Sequence, residues 1–360
     1  NQSKIAVDYR IKKGNEMFFS HQDTMKNSLQ GISPITNKNI IDSYLVPAFT
    51  YGLDTINVNP TDMDRLEVKF RNVLRNIQSL SPSVNTAVIY LMIGCLPITA
   101  ERDIQIMRLV GQTAISQRDI QPVSDIIQDN LIKYDITFSG WSGVARRTAA
   151  LYGLPDPLDI MEEPWRSDRF SKFVKTEITK YWAVLLQKSA STYQESTLNL
   201  LDISELDLRV PHRIWREADT DSISIQKTTV VSWFLLGVYK TQERMFKMKK
   251  VFSPNCLLCK SQSQPLVHIE TRRHLALECE AFLEVRKNYF DKFSAICPPL
   301  ATHMNNSDEF LKILLDPLAS DVPVEIREGW ASQAAAYEVS RNFFYALHKK
   351  RTKLMEKISH

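Results

Sequence analysis

Glycine is scarce in this sequence, ten in 360 residues, and neither G-x-G-x-x-G nor G-x-x-x-x-G-K-[ST] occurs. The common glycine-rich phosphate cradles of dinucleotide and NTP sites are thereby excluded. Five cysteines in a chain of this length exclude a disulfide scaffold. The longest apolar run, residues 87–98, is broken by Gly94 and Pro97 and is too short to span a bilayer. Residues 1–14 are polar and basic, unlike a signal peptide. These absences predict a soluble chain in a reducing, intracellular compartment. Charge of one sign is lacking too: the net value is only +4, so a nucleic-acid partner has to be argued from local clusters.

What is present reads as helix. Residues 39–56 form an apolar stretch entering a turn at Tyr51-Gly52. Thr61-x-x-Asp64 after Pro60 has the form of a capping box. It opens a helix to about residue 80 with Leu66, Phe70, Val73, Leu74 and Ile77 on one face and Arg65, Lys69, Arg71 and Arg75 on the other. Further helices are expected over 87–93 and from Thr99, the latter with Ile104, Met107, Val110 and Ile115 inward. Residues 120–160 carry loop signals at Gly140–Gly143 and 154–157. Helical spacing returns over 165–201 (Phe170, Phe173, Val174, Ile178, Trp182, Leu185), over 221–250, and in one long tail helix over 324–358. No sustained strand alternation appears, so the fold class is mostly α, with a domain boundary near 155–165.

Three of the five cysteines fall within residues 256–279. The pattern is Cys256-x2-Cys259, fourteen residues, then His274-x4-Cys279. A C-x2-C turn sets two thiolates on one side of an ion, and His274 and Cys279 on the first turns of a short helix supply the other two. Four protein ligands in a tetrahedron leave no position for water, which makes a zinc ion here structural and not catalytic. His268 is a competing ligand, ranked second because it is not on a helix with Cys279. The alternative is a set of free, buried cysteines. Cys95 and Cys297 stand alone and read as small buried side chains.

The surrounding residues extend the pattern. Cys256-Leu257-Leu258-Cys259, then Glu270-Thr271-Arg272-Arg273-His274 and Cys279, Phe282 and Arg286, resemble the C-x-x-C…E-T-x-x-H-x-x-x-x-C…F…R segment of non-LTR (LINE-type) retrotransposon reverse transcriptases. Pro47–Asp54, Leu74-Arg75-Asn76-Ile77 and Gly94-Cys95-Leu96-Pro97 resemble the thumb region of that family. Tyr152-Gly153-Leu154-Pro155, Lys180-Tyr181-Trp182 and Leu236-Gly237-Val238-Tyr239 resemble its linker, in the same order. The resemblance implies a thumb-like helical region (1–155), a helical linker (156–250), a CCHC zinc module (251–297) and a C-terminal helical region (298–360). It implies RNA template and target DNA as partners in target-primed reverse transcription, no membrane, and a nuclear and cytoplasmic location. It also implies that the polymerase chemistry is elsewhere. The family's palm uses paired aspartates to hold Mg2+, and this chain has no adjacent Asp-Asp. No catalytic residue is therefore assigned, and the chain alone is expected to be inactive.

Two clusters carry the nucleic-acid expectation. Lys240, Arg244, Lys247, Lys249 and Lys250 precede the metal segment with Tyr239 and Phe246 interleaved, a combination suited to phosphates and unpaired bases. Lys69, Arg71 and Arg75 on the thumb-like helix would face a duplex backbone. Lys349, Lys350, Arg351 and Lys353 read as a frayed basic tail, and Glu162-Glu163 as a solvated turn. The competing functional reading is a domesticated or decayed remnant serving as a zinc-stabilised interaction module.

Overall fold

A computed structural model describes residues 2–21, 25–115, 121–162, 166–260, 268–304 and 307–359. Among them there is no strand, only an isolated antiparallel bridge between Asn255 and Ile269. The chain is an assembly of helices ending in a long one, Gln333–Ser359.

The Pro60–Ile77 helix buries Leu66, Phe70, Val73, Leu74 and Ile77, the stripe its spacing predicts. Its cap differs from the expected Thr61 box. Asn59 is the N-cap and accepts from the Asp62 amide, with Pro60 at the first turn. Proline's fixed φ and missing N–H suit that position, which moves the cap two residues upstream. Thr86–Ile93 is apolar all round and buried at every position from Ala87 to Ile93. Such a helix has to be central, and it lies between Pro60–Ile77 and Ser167–Ser191. It stops at Gly94, whose φ of 62° is left-handed and whose missing Cβ leaves room for the Val210–Pro211 backbone at about 3 Å.

Ile98–Ile115 packs against Trp141–Tyr152, Pro157–Glu162 and Ser167–Ser191, so helices on either side of residue 155 share one core. Phe170 fits over Gly111. Further on, Ser222–Leu235 and Leu283–Ile296 both pack on Gln333–Ser359, with Phe234, Phe293, Phe310, Phe343 and Phe344 buried. One polar knot is buried there: Tyr337 donates to Asp316 at 2.6 Å and His212 Nε2 lies 3.3 Å from the same carboxylate. Burial alone would raise Asp316, but His212 and Tyr337 outweigh it and hold the carboxyl below its usual range.

Several expected details change. Residues 39–56 are Pro34–Ile40, a π-helical turn Ile41–Leu45 and Val46–Thr50 in succession. Residues 120–160 are more regular than their loop signals suggest, with helices Gln121–Lys133 and Trp141–Tyr152. The tail is two helices, Val324–Gly329 and Gln333–Ser359. Ile115 and Leu185, expected inward, are exposed, while Cys95 and Cys297 are buried as expected. Glu163, and the start expected for a helix at Trp165, lie outside the described residues.

Candidate metal centre

Cys256 follows the Asn255–Ile269 bridge and is fixed by its amide, which donates to the His268 carbonyl at 2.7 Å. The Leu257–Lys260 turn then returns Cys259 to the same side. The second half is held differently from the expected α-helix. Side chains five apart on an α-helix diverge by about 140°, which would separate His274 from Cys279. Residues His274–Glu278 instead form a π-type turn, closed by the Cys279 amide on the His274 carbonyl at 2.7 Å. This i to i+5 bond brings the two ligands together.

The four ligand atoms of Cys256, Cys259, His274 and Cys279 lie within 4.8 Å of one another. Cys256 Sγ and Cys279 Sγ are 3.9 Å apart, Cys259 Sγ and Cys279 Sγ 3.6 Å, and Cys259 Sγ and His274 Nε2 3.3 Å. A tetrahedral ion with metal–sulfur bonds of about 2.3 Å and a slightly shorter metal–nitrogen bond requires edges of about 3.8 and 3.5 Å. These three edges are close to those of a tetrahedral ion, and the cluster could hold a metal ion, consistent with structural zinc. Cys256 and Cys279 are buried, as is His274, and Cys259 is half-buried. The competing His268 stays outside: its exposed ring stacks on His274 at 5.1 Å.

The three sulfurs share charge unevenly. Among the sulfurs, negative charge settles on Cys256, whose thiol is held down to about 3, first by the hydrogen bond from Cys279. That same bond, with burial, pushes Cys279 up, and burial with the Cys256 charge pushes Cys259 up. Thiolates are what soft metals bind, and Cys256 is the sulfur most readily held as one.

Spacing alone did not reveal the second layer. Glu278 Oε2 lies 3.3 Å from His274 Nδ1, the carboxylate contact that commonly fixes a ligating imidazole with Nε2 toward the metal. Thr271 Oγ1 accepts from the His274 amide at 2.9 Å, and Arg286 donates to the Cys279 carbonyl at 2.7 Å. Glu270 is fully buried and paired with Arg351 of the last helix at 2.6 Å. A carboxylate four residues after a candidate ligand is visible in the sequence and could have flagged Glu278. The Arg351 contact has no such signal.

The basic residues separate into anchored and free. Lys240, Lys249 and Lys250 are exposed, and Lys247 is exposed but paired with Glu243 at 2.6 Å. Arg244 is half-buried and donates to the Gly237 carbonyl and, at 2.7 Å, to Ser83 Oγ. Tyr239 is a core residue stacked on Phe234 at 4.0 Å, its hydroxyl pushed up to about 12 by burial, so it is not displayed beside the lysines. Phe246 and Phe252 are exposed there instead. On Pro60–Ile77, Lys69 is exposed while Arg71 and Arg75 are half-buried.

Residues 233–250 touch both the loop after that helix and the last helix. Arg244 holds Ser83, Trp233 Nε1 donates to the Ser79 carbonyl at 3.0 Å, and Tyr239 reaches His348 at 3.1 Å. Lys349, Lys350, Arg351 and Lys353, expected as a frayed tail, belong to a helix continuous to Ser359 and anchored by Arg351. Comparison of the chain with family models, curated proteins and solved structures finds no match. Among the described residues no helix is long and apolar enough to cross a membrane.

Proposed function

We propose that this chain is the nucleic-acid-binding C-terminal part of a LINE-type reverse transcriptase, built around a structural zinc ion. The observation that carries the reading is the junction just described. Exposed Lys240, Lys249 and Lys250 and exposed Phe246 and Phe252 lie in the segment that leads into Cys256, and from the same segment Arg244 bonds Ser83, past the Pro60–Ile77 helix, and Tyr239 bonds His348, next to the basic residues of the last helix. Lysines neutralise phosphates and displayed aromatic rings stack on unpaired bases. The ordered motifs from Pro47 to Arg286 supply the family. A Cys3His donor set, three soft thiolates and one imidazole, favours zinc over harder ions. In this reading RNA template and target DNA are the partners, the location is nuclear and cytoplasmic, and Mg2+ belongs to a palm outside this sequence.

Fluorescence anisotropy of labelled single-stranded RNA with the zinc-loaded chain tests it. Binding should weaken as salt rises, with a log–log slope of about −0.7 for each phosphate neutralised. The double variant Lys249→Glu, Lys250→Glu should weaken it by about tenfold or more. No binding at low salt, with zinc bound, sinks the reading and leaves an interaction module.

A further inference from the structure

At the joint between the metal module and the helical body lies a cavity of about 400 Å3, a volume typical of ligand sites. Four cationic side chains line it, Arg244, Lys247, Arg272 and Arg273, against two carboxylates, Glu243 and Asp308. We propose that this cavity binds a phosphate group, supplied by the backbone of a nucleic-acid strand. The strand as source rests on the function proposed above; the anion site itself does not.

The two inner arginines are held in place by the protein itself. Arg272 donates to the Phe234 carbonyl and to Asn199 Oδ1, both at 2.6 Å. Arg244 donates to the Gly237 carbonyl and to Ser83 Oγ. All four acceptors are neutral. Among the described residues, neither guanidinium has a carboxylate within ion-pair distance, unlike Arg351 on Glu270 or Arg65 on Asp8. Burial lowers the Arg244 guanidinium below its ordinary value. Asp308 and Glu243 act on Arg272 only from beyond ion-pair distance. A half-buried cation without an ion-pair partner is costly, and an anion entering the cavity relieves that cost.

These hydrogen bonds also pre-organise the forks. The guanidinium groups are fixed before the ligand arrives, and a planar fork matches phosphate oxygens in pairs. Lys247 and Arg273 are exposed, tied to Glu243 and Glu278 across the surface, and can swing onto a ligand at little cost. Met248 also lines the cavity, and Lys249 and Lys250 follow it directly, so a strand seated here continues onto the exposed lysines. Arg273 and Thr271 bring the cavity to within one contact of His274.

The test uses the full zinc-loaded chain with 15N-labelled arginine, its Arg244 and Arg272 side-chain signals assigned through R244K and R272K. It is titrated separately with inorganic phosphate and with a short oligouridylate. Saturable shifts of both arginine signals are expected with each. Lys247→Glu, an exposed change that spares the fold, should weaken phosphate binding by about tenfold. If the oligonucleotide binds while neither probe moves the two arginine signals, the cavity proposal is overturned and the nucleic-acid reading stands. If phosphate moves them but the oligonucleotide does not bind at low salt, the anion site stands and the strand as its source is lost. Chemical shifts elsewhere report whether a variant has unfolded, and zinc content reports the module.

Discussion

The metal module and the helices of residues 60–115 are ordered by different means. In the helical region, order comes from apolar burial among residues far apart in sequence, such as Phe70 against Phe49, or Gly94 against Val210. In the module, Leu258, Leu275, Ala276 and Leu277 add a few side chains to the common apolar core, and the further fixed points are four ligand atoms, Glu278 on His274 and Arg286 on Cys279. A segment this small has little buried area of its own, and a metal ion held by the cluster would substitute for a core. The two regions should therefore fail under different insults.

The largest effect expected follows from removing the metal. Structural zinc sites contribute on the order of 10 kcal/mol to folding. Cys279→Ser should take metal content from one ion per chain to near none, and hydrogen exchange should show residues 256–286 unprotected. Protection over residues 60–115 should persist. A module that keeps its protection without metal would break the contrast.

The reverse insult is Phe70→Ala. Phe70 is completely buried, and its removal should cost about 3–5 kcal/mol in urea denaturation through lost burial and the cavity left behind. Metal content should not change. Loss of metal in this variant would mean the two regions fold as one unit.

Glu270→Ala addresses the bond that ties the module to the last helix. It leaves Arg351 without its buried partner, which should cost about 3 kcal/mol, and Arg351→Met in the same chain should recover part of that loss. Exchange protection of the last helix should fall together with that of the module. The pH dependence sharpens the case. Burial raises the Glu270 carboxyl above its ordinary value, against the opposing pull of Arg351. The folded state then holds this proton to higher pH than the unfolded chain. This group's contribution to stability falls as pH rises from the ordinary carboxyl range through the folded value. Glu270→Gln should flatten that limb of the stability–pH curve.

Legibility followed the range of the interactions. The four ligands and the apolar stripe of Pro60–Ile77 could be read because their partners lie within a few turns, where spacing fixes geometry. The Asn59 cap was missed by two residues because two neighbouring capping signals compete and the proline between them decides. The π-turn at His274–Glu278 was missed because its sequence is also that of an ordinary helix; only the need to bring ligands five apart onto one side selects it. Tyr239 was read as a displayed aromatic because periodicity alone does not show that Phe234 and His348 cover it.

By itself, the sequence determined a helical chain, a Cys3His ligand set in one short segment, and the absence of an Asp-Asp pair. These are properties of residue type and local spacing. Tertiary structure alone decided which cations are anchored and which are free, that Glu270 is bonded to Arg351, and that the segment before the ligands touches both the Ser79–Ser83 loop and the last helix. Each of those contacts closes a long loop, and its position depends on how whole helices pack. That packing is set by the summed burial of many side chains, which no local pattern encodes.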